Sequence, residues 1–155
     1  MRLNEETFQF ICNHAIEAYP DECCGIITGN SDQQTAHACQ NIQDTLHQQD
    51  PIRYPRTARI AYTIDPKEAD RVISQALQDG QDVLAFYHSH PDHDAYFSEE
   101  DVEAQTVFGE PQWPQALQLV ISVRLGLVSA LKSYRWDGVA QDFKETAVVR
   151  INQKI

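Results

Sequence analysis

Between Tyr87 and Asp101 the chain reads YHSHPDHDAYFSEED, with three histidines and five acidic residues in fifteen positions. Imidazole nitrogens and carboxylate oxygens are zinc ligands, and a hydrolytic zinc takes three of them while leaving a fourth position for water. His88 and His90 lie two apart at the end of an apolar run, VLAFY, that has the pattern of a central strand. Strand side chains repeat every second residue, so both imidazoles leave the same face. They do so at a carboxyl end, where open α/β sheets place their sites. Spacing alone leaves the third ligand open among Asp92, Asp94, Glu99, Glu100 and Asp101, and the general base open among 23 acids. On spacing alone, too, two polar residues at a strand end are the simpler account of an isolated H-x-H. Ser98, followed three residues later by Asp101, has the form of a capping box that starts a helix.

The elements that must position these residues follow from periodicity and turn chemistry. Phe8, Ile11, Cys12, Ala15, Ile16 and Tyr19 recur at helical spacing after Asn4, and Pro20 with Asp21 closes that helix. CCGIITG is expected as a buried strand, with AHACQN as its antiparallel neighbour across the polar turn NSDQQT. The segment from Ile42 to Thr57 has two prolines and no period, which predicts a long loop. RIAYTI is strand-like, and Asp65-Pro66 opens a second helix that Gly80 ends. SEEDVEAQTVF predicts a short third helix. ALQLVISV and LVSALKSYRW predict a hairpin around Gly126, with TAVVRI as the last strand. Helices and strands intermix without a strict βαβ repeat, the mark of a mixed sheet flanked by helices.

Composition narrows the possible partners. The 155 residues are sized for a single domain, expected over 1–155. A formal charge of −11 argues against nucleic acid or anionic lipid as a partner. No apolar run is long enough to span a bilayer, and MRLNEETF lacks a signal-peptide core, so a cytoplasmic protein is expected. Cys12, Cys23, Cys24 and Cys39 show neither a C-x-x-C pair nor the density of a disulfide scaffold, and are read as reduced thiols.

HSHPDHDAYFSEED resembles the JAMM signature, H-x-H-P and then S-x-x-D after a short loop, in every invariant letter. PDECCGIITG is similar to the same family's upstream segment, where a Glu precedes a Cys-Gly and a buried strand. TIDPKEADRVISQALQDGQDVLAFYHSHP is similar to the family's helix leading into the histidine strand. Together these cover most of the chain, which is closest in kind to the small stand-alone prokaryotic JAMM/MPN-plus metallopeptidases. The resemblance implies the three-layer α/β fold of the cytidine deaminase type. It also implies zinc on His88, His90 and Asp101, with Glu22 as general base and acid and Ser98 stabilising the tetrahedral intermediate. The implied activity is hydrolysis of an amide bond, peptide or isopeptide, beyond the Gly-Gly end of a ubiquitin-like β-grasp sulfur-carrier protein. A narrow slot for that tail is expected between the 52–55 and 92–97 loops, beside an exposed sheet edge, with Tyr54 and Phe97 either walling it or pinning their loops to the core. Two other readings stand beside it: a catalytically silent MPN scaffold, and a RadC-like protein acting on nucleic acid. A zinc deaminase is excluded by the lack of a P-C-x-x-C segment.

Overall fold

Asn4 ends a short first strand, β1 (Arg2–Asn4), and its side chain accepts the Thr7 N–H at 2.8 Å to start helix α1 (Glu5–Ala18). The computed structural model describes residues 1–30 and 33–151. Strand β2 (Cys24–Gly29), buried at every residue, pairs antiparallel with β3 (Gln34–Cys39). The turn expected between them includes Ser31 and Asp32, which lie outside the described residues. Then come α2 (Gln43–Gln49), α3 (Pro66–Gln78) capped by Asp65 as expected, and β4 (Asp82–Pro91). Helix α4 (Glu99–Gln105) leads into a small hairpin of β5 (Thr106–Val107) and β6 (Glu110–Pro111), so the third helix stops short of Phe108. The chain continues through the hairpin β7 (Leu117–Arg124) and β8 (Leu127–Asp137), then β9 (Asp142–Thr146) and β10 (Val149–Ile151). No helix among the described residues is long and apolar enough to cross a membrane.

The main sheet has the order β3-β2-β4-β7-β8-β9, with β4 antiparallel to β2 and parallel to β7. Period-two alternation sorts its side chains. Ala85, Tyr87, Leu119 and Ile121 pack with Ile11 and Ala15 of α1 on one face, while Ile26 and Phe86 pack with Val72 of α3 on the other. The result is three layers, helix, mixed sheet and helix, as expected. His88 and His90 share the face of Phe86.

Three expectations give way to tertiary context. The 42–57 segment is not all loop, because α2 forms within it. It shows no apolar period because polar side chains fasten this turn of chain: Gln43 Nε2 donates to the Arg56 carbonyl at 3.0 Å, and Asp44 accepts the Ala58 N–H at 2.7 Å. RIAYTI is not a strand, its only bridge among the described residues being Ile64 to Asn41. The Asn41 side chain takes up the Ala61 carbonyl and the Thr63 N–H (3.1 and 3.0 Å), groups that a neighbouring strand would otherwise pair. The last strand is shorter than expected, β10 pairing parallel with β1 away from the main sheet, and an unforeseen strand before it, β9, extends the main sheet beside β8.

Candidate metal centre

Strand β4 delivers His88 and His90 side by side, with their Nε2 atoms 3.1 Å apart. His90 Nδ1 donates to the Asp94 carbonyl at 2.9 Å, which puts the ring proton on Nδ1 and leaves the Nε2 lone pair facing its neighbour. His88 is buried and held flat by Tyr62, whose ring stacks on it at 4.4 Å. Helix α4 begins with the expected capping box: Ser98 Oγ accepts the Asp101 N–H at 3.1 Å, and Asp101 Oδ2 accepts the Ser98 N–H at 2.9 Å. That same oxygen lies 3.2 Å from His88 Nε2 and 3.4 Å from His90 Nε2. The three atoms therefore form a nearly equilateral triangle. Ligands about 2.0–2.1 Å from a tetrahedral zinc are separated by about 3.3–3.4 Å, so this donor set fits that ion and leaves one apex open.

Glu22 follows α1 in irregular chain, yet its backbone is gripped on every side. Its N–H donates to the Ala58 carbonyl at 2.7 Å, and its carbonyl accepts from Asn41 Nδ2 at 3.0 Å. The next residue, Cys23, gives its N–H to Ser89 Oγ at 2.8 Å and accepts the Ser89 N–H at 3.1 Å. Ser89 stands between the two histidines and points to the opposite face of β4, so the carboxylate segment and the imidazole strand are clamped to each other. Glu22 Oε1 comes within 3.9 Å of His90 Nε2, and Glu22, His88 and His90 can bring one ligand atom each within 4.8 Å of one another. The five residues singled out from the sequence thus converge. Asp92, Asp94, Glu99 and Glu100 stay exposed.

The electrostatics suit a cation. Burial pushes the Glu22 carboxyl up to about 8, only partly opposed by His90. Burial also favours neutral Asp101, but the two imidazoles outweigh it and hold the carboxyl well below the usual range. His88 is pushed down by burial. His90 is raised, because hydrogen bonds to Asp101 and the Asp94 carbonyl outweigh its own burial. A carboxylate wedged between two imidazole lone pairs needs either a shared proton or a metal ion.

A cleft of about 280 Å³ opens over these groups, and Glu22, Tyr62, His90, Tyr96, Ser98 and Asp101 are among its lining. Of the two readings of Tyr54 and Phe97, pinning their loops and not walling the cleft is the one that holds. Phe97 packs on Tyr134 and Phe143, with ring centroids 5.5 and 4.8 Å away, and so pins its loop to the core. Tyr54 is tied to α2, where its carbonyl bonds His47, and Tyr62 and Tyr96 form the walls instead. The sheet edge expected beside the site is also absent among the described residues, since β4 is flanked by β2 and β7 and the edges are β3 and β9. His93 is exposed and lines the cleft. On the α1 side of the sheet, His14 Nδ1 meets the Tyr87 hydroxyl at 2.8 Å. Gly25 makes room for Tyr87 and the His37 carbonyl. All four cysteines are free and buried.

A family model for prokaryotic homologs of the JAB domain matches residues 4–131. The chain is 28% identical over 142 residues to a desampylase of Haloferax volcanii, covering 89% of this chain and 87% of that protein. It is 30% identical over 125 residues to a CysO-cysteine peptidase of Mycobacterium tuberculosis, covering 79% and 73%. Among solved structures, a protein from Desulfitobacterium hafniense matches with a TM-score of 0.72 at 20% identity, covering 98% of this chain and 93% of that one. A JAB1/MPN domain protein from Archaeoglobus fulgidus matches with a TM-score of 0.54 at 16% identity, covering 98% and 97%.

Proposed function

The chain belongs to the family of prokaryotic JAB-domain homologs, and from that premise we propose that it is a zinc-dependent hydrolase cleaving an amide bond beyond the Gly-Gly end of a ubiquitin-like β-grasp carrier. The observation that carries this reading is the triangle of His88 Nε2, His90 Nε2 and Asp101 Oδ2, with sides of 3.1, 3.2 and 3.4 Å, beneath a cleft that also holds Glu22 and Ser98. The desampylase and CysO-cysteine peptidase among its relatives support this kind of substrate.

His88, His90 and Asp101 would hold the zinc. When bound, zinc acts as a Lewis acid, bringing the pKa of a water in its open position to about 7 and polarising the substrate carbonyl. Glu22 takes a proton from the attacking water. Its burial beside His90 suits it to hold that proton and then pass it to the departing amine nitrogen as the C–N bond breaks. Ser98 Oγ accepts the Asp101 N–H, and its O–H, which rests on the Glu100 carboxylate, would turn to donate to the oxygen that gains negative charge. The products are a Gly-Gly carboxylate and a free amine. Tyr62 and Tyr96 line the cleft that would receive the tail.

The test uses a β-grasp carrier extended beyond Gly-Gly, with metal content measured on the same samples. Wild type should carry one zinc and cleave. Glu22→Gln should keep the zinc and lose about 100- to 10,000-fold in rate, whereas His88→Ala combined with His90→Ala should lose both. Zinc retained by that double variant, or full turnover by Glu22→Gln, overturns the assignment.

A further inference from the structure

Gln118 is buried in β7, on the same face of the sheet as Phe86 and His88, and its Oε1 has no hydrogen-bond partner among the described residues. A buried amide with an orphaned atom costs stability that an apolar side chain there would not. What the amide does reach is Gln105 of α4. Gln118 Nε2 donates to Gln105 Oε1 at 3.2 Å, and Gln105 Nε2 donates to the Tyr62 hydroxyl at 3.2 Å. With both amides turned over, Gln118 Oε1 accepts from Gln105 and the Tyr62 hydroxyl donates to Gln105, so in either orientation the chain ends on Tyr62.

The Tyr62 ring lies 4.4 Å from the His88 ring at an interplanar angle of 22°. Its backbone is held from both sides, because Asn41 Nδ2 donates to the Ala61 carbonyl and Asn41 Oδ1 accepts the Thr63 N–H. A phenol fixed at its backbone and at its hydroxyl leaves the stacked imidazole one plane to occupy. That plane decides where the His88 Nε2 lone pair points. An imidazole that has given this pair to a cation is electron-poor, and an electron-rich aromatic face favours it. Gln105 also stands one helical turn after Asp101 on the same side of α4, so the helix that carries one ligand carries the fastening of another.

We infer that Tyr62 is a positioning residue for His88 and that Gln105 and Gln118 lock its ring, so that zinc affinity depends on three side chains outside the ligand set. A ring that only walled the cleft would need neither a stack on a histidine nor a bond to buried amides. The inference rests on the zinc assignment proposed above and extends it to the layer that aims the ligand.

In the experiment the full chain is stripped of metal, and zinc is returned in competition with a chelator of known affinity. The absorption spectrum of the cobalt(II)-loaded protein and the melting of the metal-free protein are recorded beside it. Tyr62→Leu should bind zinc about 10- to 100-fold more weakly, the range for losing an outer partner of a metal-ligating histidine, and should shift the cobalt bands. Tyr62→Phe keeps the stack and loses only the tie, so its affinity should fall between those of Tyr62→Leu and wild type. Gln105→Met and Gln118→Met should each weaken zinc binding as Tyr62→Phe does, and neither should add to that loss in a double variant. Wild-type affinity and an unshifted cobalt spectrum in Tyr62→Leu overturn the inference and leave Tyr62 a cleft wall. Additive losses from Tyr62→Phe and Gln105→Met overturn the locking role, since Gln105 would then act on Asp101 through α4. A wild type that takes up neither zinc nor cobalt ends the zinc reading and this inference with it, whereas tight binding by wild type and every variant sinks the inference alone.

Discussion

The Ser98 N–H and the imidazoles of His88 and His90 meet on one atom, Asp101 Oδ2, at 2.9, 3.2 and 3.4 Å. Helix initiation and ligand placement are therefore a single event at the start of α4. Asp101→Asn keeps an oxygen for the cap but removes the charge between the imidazoles. It is expected to lose its metal under dialysis that leaves wild type loaded, with little change in the melting of the metal-free protein. Asp101→Ala should add a cap loss of about 1 kcal/mol to the same metal defect. Metal analysis and thermal melts of chelator-treated protein separate the two, and an alanine variant that holds zinc would remove Asp101 from the ligand set.

Glu22 gives the metal-free protein a pH dependence of defined sign. Its carboxyl rises from an ordinary 4.5 to about 8 on burial, so between those values the folded chain keeps a proton that the unfolded chain releases. Stability then falls as pH rises through that window. Glu22→Gln has no such proton, and its metal-free melting temperature should fall less than that of wild type from about pH 5 to about pH 8. His90, where hydrogen bonding outweighs burial, titrates with the same sign and leaves a residual slope. Equal slopes in the two proteins would assign the titration to another group.

Ser89 binds the Cys23 N–H in a fully buried setting, and Ser89→Ala strands that donor. A loss of about 1–3 kcal/mol is expected in urea unfolding. Because the hydroxyl also fixes where Glu22 stands relative to His90, kcat should drop while zinc content holds. A stability loss with kcat intact would make Ser89 purely architectural.

A methyl group on Gly25 would meet the His37 carbonyl at 2.3 Å and the Tyr87 ring at 2.4 Å. Gly25→Ala should therefore destabilise by about 1–3 kcal/mol or more, since backbone as well as side chain must yield. Adding Tyr87→Leu should restore only part of the loss, because the carbonyl contact remains. Full rescue would place the whole conflict in the ring.

The parts of the fold that were legible in the sequence are those where local chemistry and tertiary packing agree. The Asn4 and Asp65 caps, the Ser98–Asp101 box and the apolar run into His88 all state their structure locally. The illegible parts are held by long-range polar contacts that leave no period. Asn41 is the clearest case, for its one side chain serves Glu22, Ala61, Gln43 and Thr63. Nothing in GlnAsnIle announces that role. Tyr62 likewise looked like a strand residue, because an aromatic beside an isoleucine and a threonine carries β propensity whether or not a neighbour strand arrives. Ser89 did leave a signal, the residue of opposite face between two same-face histidines, and its partner could be found only once β2 was laid beside β4.

The 93–97 segment has the length of a flap but is fastened along its course: the His93 carbonyl to Ser122, the Asp94 carbonyl to His90, and the Ala95 carbonyl to Tyr134 at 2.6 Å. The opposite wall is tied down through Asn41 and Gln43. With both banks rigid, the cleft has little freedom to surrender when a tail enters. The entropy lost on association then falls on the carrier's flexible end, where glycines have the most to lose. For the carrier proposed above, affinity for the tail alone should be weak and improve when that end is stiffened beforehand.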